Sequence, residues 1–204
     1  MATPPRPRPY TSRRSADDEL VISANTDFNR GGTGAYITYL RARTGDGILC
    51  LQEVGHGRRS VRIQAVGAAV VRRRRWREIG LLGAHRWVAT ARTRIASDQV
   101  RLFNAHGLHR RTAGARAQAV YLTALQARLR LLTRRRRLWI LAGDLNTHPS
   151  KVASRLPGSS WVGHGVDAVI VAPGLRVELV SVDQHGIAQG WTDHPAIVAR
   201  VSLA

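Results

Sequence analysis

The sequence contains very little cysteine, and it has no long apolar run. Cys50 is the only cysteine, so no intrachain disulfide can form, and its position in an apolar segment predicts a buried free thiol. No apolar stretch approaches the roughly 20 residues that a membrane-spanning helix needs. The first residues also lack the apolar segment of a signal peptide. These absences predict a soluble, cytoplasmic protein with no membrane partner.

Acidic residues are also scarce, at 13 against 32 basic residues, and the formal net charge is +19. Lys151 is the only lysine, so 31 of the basic residues are arginine. Arginine binds phosphate through two parallel hydrogen bonds and keeps its charge at any working pH. The composition therefore predicts a nucleic-acid partner, and we expect DNA in preference to RNA, with association with the nucleoid as one consequence.

The length of 204 residues suits one domain, which we expect to be a monomer. Residues 1–18 are rich in proline and arginine and contain almost nothing to bury. We predict that they form a disordered basic arm that adds non-specific phosphate contacts. The folded domain is predicted to span residues 19–204.

Short apolar runs and one long amphipathic segment predict an α/β domain. In the long segment, leucines at positions 122, 125, 129 and 132 fall on one helical face. Residues 149–165 are predicted to be a loop. Helices are predicted at 35–43 and 114–134, and strands at 19–24, 47–52, 61–71, 85–94, 99–105, 138–142, 166–171, 176–182 and 196–203.

The strand that begins at Leu138 ends in Gly143, Asp144 and Asn146. In open α/β sheets, ligands bind beyond the carboxyl ends of the strands, so these polar side chains indicate a site. An ordinary turn is the alternative interpretation, because all three residue types are common in turns. However, similar polar groups adjoin five other predicted strands, and one shared site accounts for all of them. These groups are Asn25, Glu53, His106, Asp167 and the pair Asp193-His194.

The polar groups suit a metal-assisted reaction at phosphorus. Carboxylates at Glu53, Asp144 and Asp193, with nearby amide oxygens, are the ligands that Mg²⁺ prefers, and Mn²⁺ is a plausible substitute. No His-x-x-x-His or Cys-x-x-Cys spacing favours zinc. His106 and His194 can contact a phosphate oxygen, and a carboxylate nearby can hold a histidine in one tautomer.

Six motifs in the chain occur in the order seen in the endonuclease/exonuclease/phosphatase superfamily. Residues 19–204 resemble that superfamily, and Arg116-Ala117-Gln118 is also similar to its pattern. The resemblance implies a DNase I-like, four-layer α/β sandwich, with two mixed β-sheets face to face, helices outside and the site at one end. The motifs are Asn25, Leu51-Gln52-Glu53, Asn104-Ala105-His106, Gly143-Asp144-Leu145-Asn146, Val166-Asp167 and Asp193-His194.

The resemblance also implies a role for each polar residue. Glu53 would be the principal metal ligand, with Asn25 and Asp193 beside it. Asp144 would orient or deprotonate the attacking water, and Asn146 would help to hold the phosphate.

The remaining implied roles concern two histidines and one carboxylate. His106 would bind phosphate, and His194 would act as a general base or stabilise the transition state. Asp167 would orient His194, although this carboxylate could instead cap a neighbouring turn.

Three functions are compatible with this sequence. The first is a metal-dependent nuclease that hydrolyses phosphodiester bonds with water. The second is a phosphatase or phosphodiesterase for a small phosphorylated metabolite or lipid headgroup, and the third is an inactive nucleic-acid-binding protein. The positive charge favours the first over the second, and the complete polar set favours the first over the third. The segments from Glu53 to His106 and from Asp144 to Asp167 are short for the superfamily that the chain resembles. The protein would therefore either cut nucleic acid with little selectivity or take its specificity from a protein partner.

Overall fold

The computed structural model describes residues 10, 17–27, 30–45, 47–54, 69–70, 77–80 and 87–204. The described residues form five helices and eleven strands. Its helices are α1 (Thr33–Thr44), α2 (Arg110–Ala113), α3 (Ala115–Arg134), α4 (Pro149–Ala153) and α5 (His185–Ala188). Its strands are β1 (Glu19–Asn25), β2 (Ile48–Gln52), β3 (Ala69–Val70), β4 (Arg77–Gly80), β5 (Trp87–Ile95), β6 (Asp98–His106), β7 (Leu138–Asp144), β8 (Ser160–His164), β9 (Asp167–Val171), β10 (Leu175–Asp183) and β11 (Ala196–Leu203).

The described strands form two mixed sheets. One has the order β10-β11-β1-β2-β3, and the other has the order β4-β5-β6-β7-β9-β8. Each sheet contains one parallel pair, β1–β2 or β6–β7, among antiparallel neighbours. One apolar cluster fills the space between the sheets, and two others pack α1 and α3 on their outer faces. The structure therefore confirms the predicted sandwich of two mixed sheets with helices outside.

The long helix α3 covers the six-stranded sheet through one apolar face. Tyr121, Leu125, Leu129 and Leu132 are buried, at spacings that bring them to the same side of the helix. The predicted face is therefore correct at three leucines. Leu122 is only partly buried, and Tyr121 takes the inner position in that turn.

Some predicted boundaries were wrong. The predicted loop at 149–165 contains α4 and the edge strand β8, and β4 was not predicted at all. The predicted strand at 61–71 is described only at its end, as β3. Most of the predicted arm at 1–18 lies outside the described residues, but Tyr10 packs on Arg43 and donates its hydroxyl to Asp183.

Within the described residues, no helix combines the length and apolar character that crossing a bilayer requires.

The only cysteine lies on β2 between the two sheets. Burial raises the pKa of the Cys50 thiol to about 12, because the thiolate would lose its hydration there. We expect native protein at pH 8 to react with iodoacetamide at least 100-fold more slowly than protein unfolded in urea, as measured by mass spectrometry. Equal rates in the two states would contradict the burial of this strand.

Candidate active site

The strand register brings the predicted polar residues to one edge of the sandwich. Asn25 pairs with Gln52 at the end of the parallel β1–β2 pair. His106 pairs with Asp144 at the end of β6–β7, and Asp144 pairs with Asp167 at the start of antiparallel β9. Because parallel strands end at the same edge, each sheet delivers its own polar groups there.

A buried polar contact joins the two sheets directly below this edge. Gln52 Nε2 donates to Asn104 Oδ1 at 2.6 Å, and Asn104 Nδ2 donates to the carbonyl of Leu51 at 2.8 Å. Both side chains are fully buried, so losing either partner would leave an unsatisfied polar group in the core. The contact thereby fixes the position of one sheet end against the other.

Asp144 lies at the centre of the group. Asn25 Nδ2 lies 3.2 Å from Asp144 Oδ2 and 3.2 Å from Glu53 Oε1, so one amide binds both carboxylates. His106 Nε2 is 3.5 Å from Glu53 Oε1 and 3.7 Å from Asp144 Oδ2. His194 Nε2 lies 3.9 Å from Asp144 Oδ2. Asp144 and four other predicted residues therefore form one group.

Asn146 orients this carboxylate through its backbone. Its amide nitrogen donates to Asp144 Oδ1 at 2.8 Å, and its side-chain amide donates to the carbonyl of Gly107 at 3.0 Å. Gln118 of α3 binds the same loops, since its Nε2 donates to the carbonyls of Leu108 and Asn146 at 2.9 and 2.8 Å. Through Gln118, the motif Arg116-Ala117-Gln118 on α3 is attached to the loops that follow β6 and β7.

The partly buried His194 pairs with the buried Asp167. The Nδ1 atom of His194 lies 2.8 Å from Asp167 Oδ2. Burial alone would lower the pKa of His194, but the hydrogen bond and charge of Asp167, with further carboxylates nearby, raise it to about 9. Burial raises the pKa of Asp167 to about 6, against the opposing effect of His194. At neutral pH the pair is therefore an imidazolium with a carboxylate.

The loop that carries His194 is attached to β1. Thr192 Oγ1 donates to the carbonyl of Asn25 at 2.9 Å and accepts the backbone N–H of His194 at 3.1 Å. Thr192 is buried and was not among the predicted site residues. Its adjacency to Asp193-His194 was the only sequence signal for this role.

Asp193 is the most exposed of the predicted residues, with 58% of its side chain accessible. Its Oδ2 lies 3.2 Å from Arg30 Nη2, and its Oδ1 lies 3.7 Å from His194 Nε2. Arg30 also binds Asp27 at 2.6 Å. The Asp193 carboxylate therefore lies at the rim of the site, beside the guanidinium of Arg30, which was not among the predicted site residues.

The concentration of acidic groups suits a divalent cation. Burial raises the pKa of Glu53, and the negative charges of Asp27 and Asp144 raise it further, against the hydrogen bond from Asn25. A bound cation would relieve this crowding of oxygen ligands. A second arrangement is also present, since ligand atoms of Asp144, Asp167 and His194 all lie within 4.8 Å of one another. Within this second group, a hydrogen bond joins His194 Nδ1 to Asp167 Oδ2.

Backbone strain also occurs at this edge. Glu53 has φ 51° and Asn146 has φ 49°, both in the left-handed region. Asparagine tolerates this conformation, whereas glutamate adopts it at a cost of about 1–2 kcal/mol. Gly143 allows the close approach of β6, because a Cβ there would lie 1.8 Å from the carbonyl oxygen of Ala105. The surrounding fold thus maintains an unfavourable backbone that aims Glu53 at the cluster.

Comparison with solved structures identifies proteins that have the same architecture. TDP2 from Caenorhabditis elegans superposes with a TM-score of 0.65 and 18% identity, over 92% of this chain and 98% of that chain. An endonuclease/exonuclease/phosphatase protein from Bacteroides vulgatus gives 0.60 and 11%, over 92% and 99%. The chain has the DNase I-like fold. This fold is shared with D. rerio TDP2 in complex with a single-stranded DNA product, at a TM-score of 0.58 and 15% identity, over 91% and 99% of the two chains.

No protein-family model and no curated protein sequence matches the chain. The DNase I-like fold is therefore recognised through its structure and through the six short motifs at its strand ends.

Proposed function

We propose that the protein is a metal-dependent phosphodiesterase, and specifically a nuclease that hydrolyses DNA with water as the nucleophile. One observation carries the proposal. The buried carboxylate of Asp144 accepts a hydrogen bond from Asn25, which also binds Glu53, and it lies 3.7 and 3.9 Å from the imidazoles of His106 and His194. A phosphodiester placed over Asp144 would meet a cation, a proton acceptor and hydrogen-bond donors together.

Glu53 would hold Mg²⁺ or Mn²⁺, with Asp193 at the rim as a further ligand. Asn25 would join them through its Oδ1, which here accepts the backbone N–H of Asp27, after its amide turned that oxygen towards the metal. When bound, the cation neutralises the charge that develops on the phosphate oxygens. Asp144 orients the attacking water and accepts its proton, and the backbone N–H of Asn146 keeps the carboxylate in place for this task. The Asn146 side chain helps to hold the loop against which the phosphate would bind.

The two histidines supply donors to the phosphate. His194 is protonated at neutral pH, so its Nε2 can donate to an oxygen on which negative charge accumulates. Asp167 holds the imidazole through Nδ1 and leaves Nε2 facing the site. His106 faces the same space from β6, with its Nε2 near both Glu53 and Asp144, and would bind a second phosphate oxygen.

The choice of nucleic acid as substrate is supported by two observations. The chain carries a net charge of +19, which suits a polyanion better than a small phosphorylated metabolite. Moreover, the similarly folded D. rerio TDP2 has been crystallised with a single-stranded DNA product. We infer that DNA is preferred over RNA, and that the protein acts as a monomer.

The proposal is tested by cleavage of supercoiled plasmid, single-stranded DNA and single-stranded RNA in Mg²⁺ or Mn²⁺. We expect metal-dependent cleavage of DNA that EDTA abolishes. Glu53→Gln should raise the Mg²⁺ concentration for half-maximal rate at least about tenfold, because one ligand charge is lost.

The matched control is Glu178→Gln, which changes an exposed glutamate on β10 that pairs with Arg200. It should leave the metal dependence unchanged. Binding of DNA without cleavage under either metal would reject the nuclease, and equal metal dependence in both variants would reject Glu53 as a ligand.

A further inference from the structure

An arginine-rich cleft lies on the outer face of the six-stranded sheet, beside the C-terminal end of α3. It has a volume of about 440 Å³, and the described residues that line it include no aspartate or glutamate. Arg101 precedes His106 by five residues on β6, which places this cleft roughly 17 Å from the catalytic edge. Its basic residues are Arg92, Arg101, Arg128, Arg135 and Arg137.

The two strand arginines of the arginine-rich cleft face each other directly. Arg92 on β5 is the cross-strand partner of Arg101 on β6. Like charges at such positions repel each other and lower the stability of a sheet. Arg101 lies on the same sheet face as Phe103, which packs against the α3 side of the sheet. Arg101 is partly buried on this face, whereas Arg92 is exposed.

The helix adds further positive charge to the same space. Arg128 of α3 has a buried Nε that finds no hydrogen-bond partner within the part of the chain that the structure describes. The pKa of Arg101 is lowered, by burial first and then by the charges of Arg128, Arg92 and Arg137. Both observations indicate that positive charge is concentrated around Arg101 and Arg128.

The helix dipole accounts for only part of this cluster. The carbonyl end of a helix attracts cations, which explains Arg135 and Arg137 after the last turn of α3. It does not explain Arg92 and Arg101, which lie on strands, or the buried Nε of Arg128. An external anion that contacts several of these guanidinium groups would offset their repulsion.

We propose that the arginine-rich cleft binds the phosphate backbone of a nucleic acid at a site separate from the catalytic edge. Guanidinium groups bind phosphate through paired hydrogen bonds, and a chain of phosphates can engage several of them together. The proposal rests on the proposed function for its choice of nucleic acid. A separation of roughly 17 Å corresponds to about five nucleotides of one strand at 3.4 Å each, so one strand could reach both places.

The test compares two double variants of equal charge. Arg101→Gln/Arg128→Gln removes two cleft arginines, whereas Arg41→Gln/Arg176→Gln removes two exposed arginines from α1 and β10, in the other half of the sandwich. Binding of a fluorescent 20-nucleotide single strand is measured in EDTA over a series of KCl concentrations. The cleft variant should bind about tenfold more weakly than the control, with a salt slope reduced by about 1.4, at about 0.7 for each lost phosphate contact. Identical slopes and affinities in the two variants would overturn the proposal.

Three further measurements distinguish backbone binding at the cleft from a folding defect, from a change at the catalytic edge and from binding of a small anion. Arg101→Lys/Arg128→Lys keeps both charges and should keep the salt slope, which excludes misfolding as the cause of a loss. Hydrolysis of the small diester bis(p-nitrophenyl) phosphate should be unchanged in the Gln variant. If the parent hydrolyses nothing but the Gln variant still binds DNA more weakly, the proposed function fails and the cleft stands. If tripolyphosphate binds the cleft and DNA does not, the nucleic-acid proposal is rejected.

Discussion

Replacing Asp144 with asparagine should lower the rate of DNA cleavage by about 10³–10⁴-fold, towards the upper end of what a general base contributes. Asparagine has nearly the same shape, and its Oδ1 can still accept the backbone N–H of Asn146. It cannot take a proton from water, however, so the chemical step should fail while the site stays assembled. Single-turnover cleavage with enzyme in excess measures this step directly.

Binding provides the complementary measurement for Asp144→Asn. The variant should bind DNA in EDTA at least as tightly as the parent, because it has one negative charge fewer near the phosphate. Asp98→Asn, at the exposed start of β6, makes the same chemical change far from the edge and should leave the single-turnover rate unaltered. A parental rate in Asp144→Asn would mean that another group accepts the proton.

Replacing His194 with glutamine should lower the cleavage rate by about 10²–10³-fold, which is the typical loss for one donor to a developing oxyanion. Glutamine can still donate a hydrogen bond but carries no charge, and it loses the fixed geometry that Asp167 gives the imidazole. His109→Gln is the matched control, since His109 is exposed and its side chain makes no capping hydrogen bond to α2. Similar rates in the two variants would exclude His194 from the chemical step.

Asp167→Asn keeps the shape of the side chain at position 167 but removes its charge, and so tests how that charge acts on His194. The carboxylate of Asp167 is among the groups that raise the pKa of His194 to about 9. Its loss should therefore lower that pKa, so His194 loses its proton at a lower pH than in the parent. NMR titration of the imidazole in metal-free protein measures the shift, and we expect the cleavage rate to fall by about 10–100-fold. An unchanged titration would show that Asp167 does not set the charge of this histidine.

Much of this fold could be predicted from the sequence, because its central strands are buried on both faces. β1, β2, β7 and β9 are almost continuous apolar runs, and each of them adjoins polar residues at the same edge. That abrupt change from apolar to polar is visible in a single sequence. This change predicts that Asn25, Glu53, His106 and Asp144 lie close together.

The elements that were missed lack such a signal. β8 pairs on one side only and is mostly half-exposed, so its sequence Ser-Trp-Val-Gly-His shows no sustained alternation. α4 has five residues, too few to show a helical period. Within the site, neither the left-handed backbone of Glu53 nor the loop contacts of Gln118 could be predicted, since both depend on tertiary contacts that residue type does not encode.

The pairing of His106 with Asp144 at the ends of β6 and β7 limits where residues can be inserted into this chain. Inserting one residue anywhere along either strand would displace the terminal side chain by about 3.4 Å and turn it to the opposite face of the sheet. A substitution within either strand, by contrast, leaves this register unchanged. Length changes are therefore expected in the loops, and the fold is shared with proteins that are only 11–18% identical in sequence.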